Sequence, residues 1–254
     1  VDDDEDGICL ESFASAAASE YVVPLLQADI EIEISSGDRK IELTDESLAR
    51  EVRKLPAEWK KEESAGNLLS LVELAEWATD LRSNNPEGLL VVDASDVRGP
   101  DWRSLEIPAE TLTMLGQRLK SGQKTAIRVR LQTQKKGKEI RKTYFDVFME
   151  RDASETTTRP VFFRQGIRIP NIRTRGARGW RSLVIVDDKP LSQMLGDAEN
   201  PAHTQWQQNG SNFKEAYFYG KQTIEFVVHS VAGIVQQVYR EEKEQDKTLL
   251  VEFF

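Results

Sequence analysis

The chain carries one cysteine, Cys9, in 254 residues, so no internal disulfide can form. A lone thiol fits a reducing compartment. In its apolar setting, Cys9 reads as a small buried hydrophobe rather than a reactive group. Histidine is almost as scarce: His203 and His229 are the only two. With one Cys beside them, a zinc site lacks donors. No apolar run approaches the ~18–20 residues that span a bilayer. The opening Val1-Asp-Asp-Asp-Glu-Asp6 is the reverse of a secretion signal, which needs a basic and then an apolar stretch. These absences lead us to expect a cytoplasmic protein without membrane contact. The missing initiator Met leads us to expect a segment of a longer protein.

Catalytic signatures are missing too. There is no GxxxxGK[ST] phosphate loop, no GxGxxG after a strand, no HExxH and no GxSxG. Asp187 and Asp188, at the end of a predicted strand, could hold a divalent metal. They serve equally as a strand-ending turn and helix cap. His229 lies in Val227-Val-His-Ser-Val231, where a hydrogen-bonded boundary histidine is the simpler reading than a base or ligand.

What is present is an ordinary globular composition, 30% charged and 8% aromatic. The net charge of −9 argues against general adhesion of the whole chain to nucleic acid or anionic membrane. Small and apolar residues from Ile8 to Pro24 predict a closely packed helix. Strict alternation in Ala28-Asp-Ile-Glu-Ile-Glu-Ile-Ser35 predicts a half-buried strand, which turns at Ser36-Gly37-Asp38 into Lys40 to Leu43. Thr44 is the expected cap of a short helix. Residues 54–65 read as a loop. Leu68, Leu71, Val72, Ala75, Ala78 and Leu81 form a helical stripe stopped at Asn84-Asn85-Pro86. Leu89 to Asp93 predicts a buried strand, and Pro108 to Leu119 a helix.

The middle alternates as a hairpin, Lys124 to Gln132 and Thr143 to Met149, around Lys135-Lys136-Gly137-Lys138. Strands are expected at 160–169, interrupted by Gly166, and at Ser182 to Asp187. A short helix is expected over 190–196. Residues 196–206 should be irregular because Asn200-Pro201 disfavours helix. Helices are expected over 212–220 and 221–242, and a last strand over 248–254. The chain divides into an acidic, mostly helical segment with a short hairpin, 1–88, and an α/β domain, 89–254. The fold class expected is α+β, a mixed or antiparallel sheet with helices on one face.

Charge separates along the chain: residues 1–64 are acidic, and the balance reverses between Arg118 and Arg181. One dense group is the hairpin tip, with Lys135, Lys136 and Lys138. The other holds Arg173, Arg175, Arg178 and Arg181 with Trp180. Arginines spaced by Gly and Thr suit a loop gripping phosphate oxygens, and Trp180 could stack on a base. The same arginines would serve equally as solvated loop residues or as partners for the acidic first third. In Asp197 to Trp206, Glu199, Asn200, Pro201, His203 and Trp206 read as a structural motif: Pro201 fixes the backbone, His203 bonds a carboxylate or carbonyl, and Trp206 anchors the segment.

Ala28-Asp-Ile-Glu-Ile-Glu-Ile34, Phe162-Phe-Arg-Gln-Gly-Ile-Arg-Ile169 and Leu183 to Trp206, with its Ala198-Glu-Asn-Pro-Ala-His-Thr-Gln-Trp206 stretch, resemble the region after the ATPase domain in bacterial GHKL proteins. That superfamily includes gyrase B, MutL, the ninety-kilodalton chaperone and histidine kinases. The resemblance covers about two thirds of the chain. It implies a transducer domain of ribosomal-protein-like architecture, which couples the nucleotide state of a neighbouring ATPase domain to a partner or to nucleic acid. It implies a basic residue on the terminal phosphate, for which Arg164 and Lys221 are the candidates. It also implies a parent protein that uses ATP and Mg, acting in genome maintenance or phage defence. The ATPase domain's own Glu/Asn helix and DxGxG turn are absent here, so the segment is expected to need no cofactor and to have no catalytic residues of its own. Two alternatives stand beside this reading. One is a stand-alone nucleic-acid or protein binding module; the other is a metal-dependent hydrolase using Asp187, Asp188, Glu199 and His203.

Overall fold

The computed structural model describes residues 9–61, 67–152, 157–174, 177–210 and 213–252. Helix α1 (Leu10–Glu20) buries Ala14 and Ala18, whose small side chains let it approach its neighbours closely. It breaks at Tyr21 before the short α2 (Val22–Leu26). Strands β1 (Ile32–Ser36) and β2 (Arg39–Leu43) form an antiparallel hairpin whose turn uses the left-handed φ of Gly37, +56°. Ile32 and Ile34 face the core, while Glu31 and Glu33 are exposed. Thr44 and Ser47 cap one another: the Ser47 N–H donates to Thr44 Oγ1 at 3.2 Å and the Thr44 N–H to Ser47 Oγ at 2.9 Å. Helix α3 (Leu48–Lys54) follows. In α4 (Leu68–Asn84), the side-chain oxygen of Asn67 accepts from the Leu69 N–H at 2.8 Å, satisfying one orphan donor of the first turn.

The main sheet follows. Its strands are β3 (Leu90–Asp93), β4 (Thr125–Lys135), β5 (Arg141–Arg151), β7 (Val161–Arg164), β8 (Ile167–Arg168), β10 (Trp180–Val186) and β11 (Tyr217–Phe218); β6 (Thr157–Thr158) and β9 (Ala177–Arg178) pair separately. The helices between and after them are α5 (Ala109–Lys120), α6 (Lys189–Asp197), α7 (Gly220–Val228) and α8 (Ser230–Glu252). Across the sheet β4, β5, β10, β7 and β8 lie in that order, and β3 and β11 share the outer edge of β4. The β3/β4 and β7/β10 pairs are parallel and the others antiparallel, so the sheet is mixed.

The α+β class with a mixed sheet is as the sequence indicates, but the helices cover both faces rather than one. Ile127, Val129, Leu131, Phe145, Val147, Val184 and Val186 point to a core shared with α5 to α8. Ala126, Phe148, Val161, Phe163, Leu183 and Ile185 point to a second core shared with α1 to α4. The reason is visible in Ser182-Leu-Val-Ile-Val186: an uninterrupted apolar run has no face to give to water. The boundary at residue 88 therefore runs through a common core, with the first segment forming one outer layer.

Three elements differ from expectation. Residues 213–219 are turns and the short strand β11, not helix, because the backbones of Tyr217 and Phe218 pair with Lys135 and Gln134. Helix α8 continues to Glu252, so 248–252 is helix and not strand; residues 253–254 lie outside the described residues. The helix read over 221–242 is two helices, broken at His229.

Candidate functional site

On the face covered by α4, the apolar residues of β4 and β5 give way along the strands to charge. Ala126 and Phe148 lie under the helix. Two residues further, Arg128 and Asp146 stand opposite one another. The Asp146 carboxylate is about 1% exposed and accepts from Arg128 Nε at 2.8 Å and Nη2 at 2.9 Å. Arg82, from the last turn of α4, donates to the same carboxylate at 3.2 Å and to Asp187 Oδ2 at 2.7 Å. A carboxylate this buried is tolerated because two guanidiniums surround it. The bidentate bond to Asp146 raises the Arg128 pKa further above its ordinary value. The other Asp187 oxygen is buried without a hydrogen-bond partner.

Beyond this network no described helix covers the face. The next positions along the strands are Arg130 opposite Tyr144 and Gln132 opposite Lys142, followed by Gln134, which pairs with Phe218. The Arg128 guanidinium carbon lies 4.1 Å from the centre of the Tyr144 ring.

A second cluster lies at the opposite edge. Glu199, about 1% exposed, accepts from Arg164 Nε and, at 2.9 Å, from Arg164 Nη2. Its Oε2 is 2.7 Å from His203 Nδ1, and Trp206 Nε1 donates to Oε1 at 3.3 Å. Burial works against ionisation of Glu199. The bonds from Arg164 and His203, the Arg164 charge and the Trp206 bond outweigh it, so its pKa is lowered. Asn200 ties the loop: its side-chain oxygen accepts from the Thr204 and Gln205 N–H groups at 2.8 and 3.2 Å. The turn after Pro201 takes His203 to a left-handed φ of +54°. Trp206 is buried, edge-on to Phe162 with ring centres 5.7 Å apart.

The structure distributes the remaining sequence candidates as follows. Trp180 is buried at the start of β10 with Arg151 5.2 Å from its ring centre, so it presents no face to a base. Arg181 lies 3.3 Å from Glu150 and 3.9 Å from Asp152, acids of β5 and its end rather than of the first third. Arg173 and Arg178 are exposed, and Arg175 lies outside the described residues. Lys135 pairs with Asp197 at 2.8 Å, while Lys136 and Lys138 are exposed at the hairpin tip. Lys221 is exposed, 3.9 Å from Glu225 on its own helix. Of the two phosphate-sensing candidates, Arg164 is committed to Glu199 and Lys221 faces solvent. Asp188 accepts from the Thr143 hydroxyl at 2.6 Å. Among the described residues, no three His, Cys, Asp or Glu side chains converge as metal ligands. Cys9 is half-buried and free.

Two clefts flank α7. One of about 300 Å³ is bounded by Trp102, Arg103, Gln222 and Gln236; the other, about 200 Å³, reaches Arg173 and Gln205. Glu225 and the exposed His229 border both. Sequence reasoning missed the Arg82, Arg128, Asp146 and Asp187 network. One signal was available: Asp146 is the only acid in the run from Thr143 to Met149, and the hairpin turn sets it opposite Arg128.

No helix among the described residues is long and apolar enough to cross a membrane. No protein-family model matches the chain, and no curated protein or solved structure is similar to it. The fold and site define a class only: an α+β chain with a mixed sheet layered on both faces and a buried ionic network within β4 and β5 that reaches the end of β10.

Proposed function

We propose that this chain is a non-catalytic coupling module of the kind that follows the ATPase domain in GHKL proteins, transmitting nucleotide state to a partner. The observation that carries the reading is the Arg82 junction. One side chain of the outer helical layer bonds the Asp146 carboxylate of β5 and the Asp187 carboxylate just past β10, beside a half-sheet that no described helix covers. A partner pressing on that half-sheet would displace Arg128 and Asp146, and through Arg82 the end of α4. The ion pairs would change partners as a set, because a buried carboxylate left with one guanidinium is costly. In this reading the ATPase domain belongs to the same parent protein and holds ATP and Mg, whose phosphates need a cradle and metal ligands that a coupling module does not supply.

Calorimetric titration of the isolated chain with MgATP tests the proposal. No binding in the micromolar range and no turnover are expected; either one overturns it.

A further inference from the structure

The uncovered half-sheet has a composition that its structural role does not require. Alternate positions of β4 place Arg128, Arg130, Gln132 and Gln134 on that face, over about 20 Å at ~3.4 Å per residue. Across from them stand Tyr144 and Lys142. Phe218, 45% exposed, and Ile140, 43% exposed, border a shallow depression together with Arg98, Gln132 and Gln134. We propose that this face binds single-stranded DNA. The proposal deepens the coupling reading, and rests on it for the role of the face: the partner sensed there is a DNA strand.

Three features favour that ligand. First, the cations are available. Arg130 is 54% exposed with only Asp93 at 3.9 Å, and Lys142 is 78% exposed with only Asp96 at 4.0 Å. Such long, exposed pairs contribute little and exchange readily for phosphate. Arg98, Lys136 and Lys138 have no ion-pair partner among the described residues. Against these five cations the same region sets Asp93, Asp96 and Glu139, so it is locally basic on a chain whose net charge is −9. Second, the exposed Phe218 ring on an open sheet gives a base a surface to stack on, which the closed stack of a duplex cannot use. Third, the Gln132 amide both donates and accepts, as unpaired base edges require, while the Gln134 amide N–H donates to the Lys138 carbonyl at 3.3 Å and ties the hairpin tip.

Fluorescence anisotropy of the full chain with a labelled oligothymidylate of about 20 nucleotides tests this. Binding is expected at about 50 mM salt. Three or four phosphate contacts give a slope of roughly −2 to −3 in log K against log salt on a single strand. Arg130→Ala with Lys142→Ala should flatten that slope by about 1.4. Phe218→Ala should weaken binding about 5-fold or more, since stacking on one aromatic is worth ~1–3 kcal/mol. Circular dichroism and melting should be unchanged in these variants, because the replaced side chains are exposed. Arg173→Ala with Arg178→Ala should leave binding as it is. The proposal is overturned by absence of binding, by tighter binding of duplex or of the uridine oligomer, or by loss of binding in the loop variants alone. If the sheet variants alter ATP turnover of the parent protein while the oligomer does not bind, the DNA assignment fails and the coupling reading stands. If the oligomer binds while the isolated chain also turns over MgATP, the coupling reading fails and the DNA face stands.

Discussion

Replacing Arg164 by Met removes both bonds that Arg164 makes to Glu199 while keeping the aliphatic stem. The Arg164 side chain is 11% exposed and Glu199 about 1%, so the carboxylate cannot turn to water for replacement bonds. It keeps only His203 and Trp206. Breaking one side of a buried ion pair costs about 3–5 kcal/mol, chiefly through the charge left behind. At this chain length that is a fall in melting temperature of roughly 6–20 °C. Glu199→Gln in the same background removes the stranded charge, so the double variant should be much more stable than the sum of the single losses predicts, with a coupling of about 1–3 kcal/mol. Urea denaturation of the wild type and three variants closes the cycle. The sign with pH is fixed by the lowered pKa of folded Glu199, against an ordinary value of 4.5. The unfolded chain takes the proton first as pH falls. The stability due to ionised Glu199 is therefore full above about 4.5 and is lost as pH drops through the lower folded value. The gap between wild type and Glu199→Gln should narrow over that window. An Arg164→Met loss under about 1 kcal/mol, or additive single losses, would refute the reasoning.

Trp206→Ala empties a buried site against Phe162 and should cost about 3–5 kcal/mol in chemical denaturation; an unchanged midpoint would place the ring outside the core. Gly233→Ala separates two opposed effects: in a helix interior alanine should gain about 1 kcal/mol, but its Cβ would lie 2.2 Å from Trp102 Cγ. Trp102 is held by stacking on Phe226 and by its indole N–H on the Phe226 carbonyl at 2.7 Å, so overpacking, which costs about 1–3 kcal/mol, should win with a net loss of up to about 2 kcal/mol and altered tryptophan emission.

Local pattern was enough where the chain's own neighbours decide its conformation. The alternation of 124–132 and 143–149 around Gly137 specifies the hairpin, and the Leu68 to Leu81 stripe with Asn67 specifies α4. Pattern was not enough where a distant backbone decides. Tyr217 and Phe218 have helix-compatible neighbours, yet the exposed edge of β4 offers them hydrogen bonds that the sequence cannot locate. Trp180 looked like part of the basic loop because Arg178 and Arg181 flank it. The period of two that runs through Ser182, Val184 and Val186 instead carries it inward as the first residue of β10. Arg164 is a candidate for the terminal phosphate only by resemblance, and the pattern around it does not reveal its partner: Glu199, 35 residues away, meets it only after α6 has reversed the chain.

The two-sided sheet sets an order on synthesis. The residues of α1 to α4 leave the ribosome before the strands they cover, whose face ends with Ile185, about a hundred residues later. At ~5–20 residues per second that is a wait of roughly 5–20 s. During it these helices have each other, through the contacts of α1, α2 and α3 with α4, and the β1/β2 hairpin. Leu25, Leu71 and Val72, at most 1% exposed in the finished fold, belong to the surface that a chaperone would shield until β10 arrives.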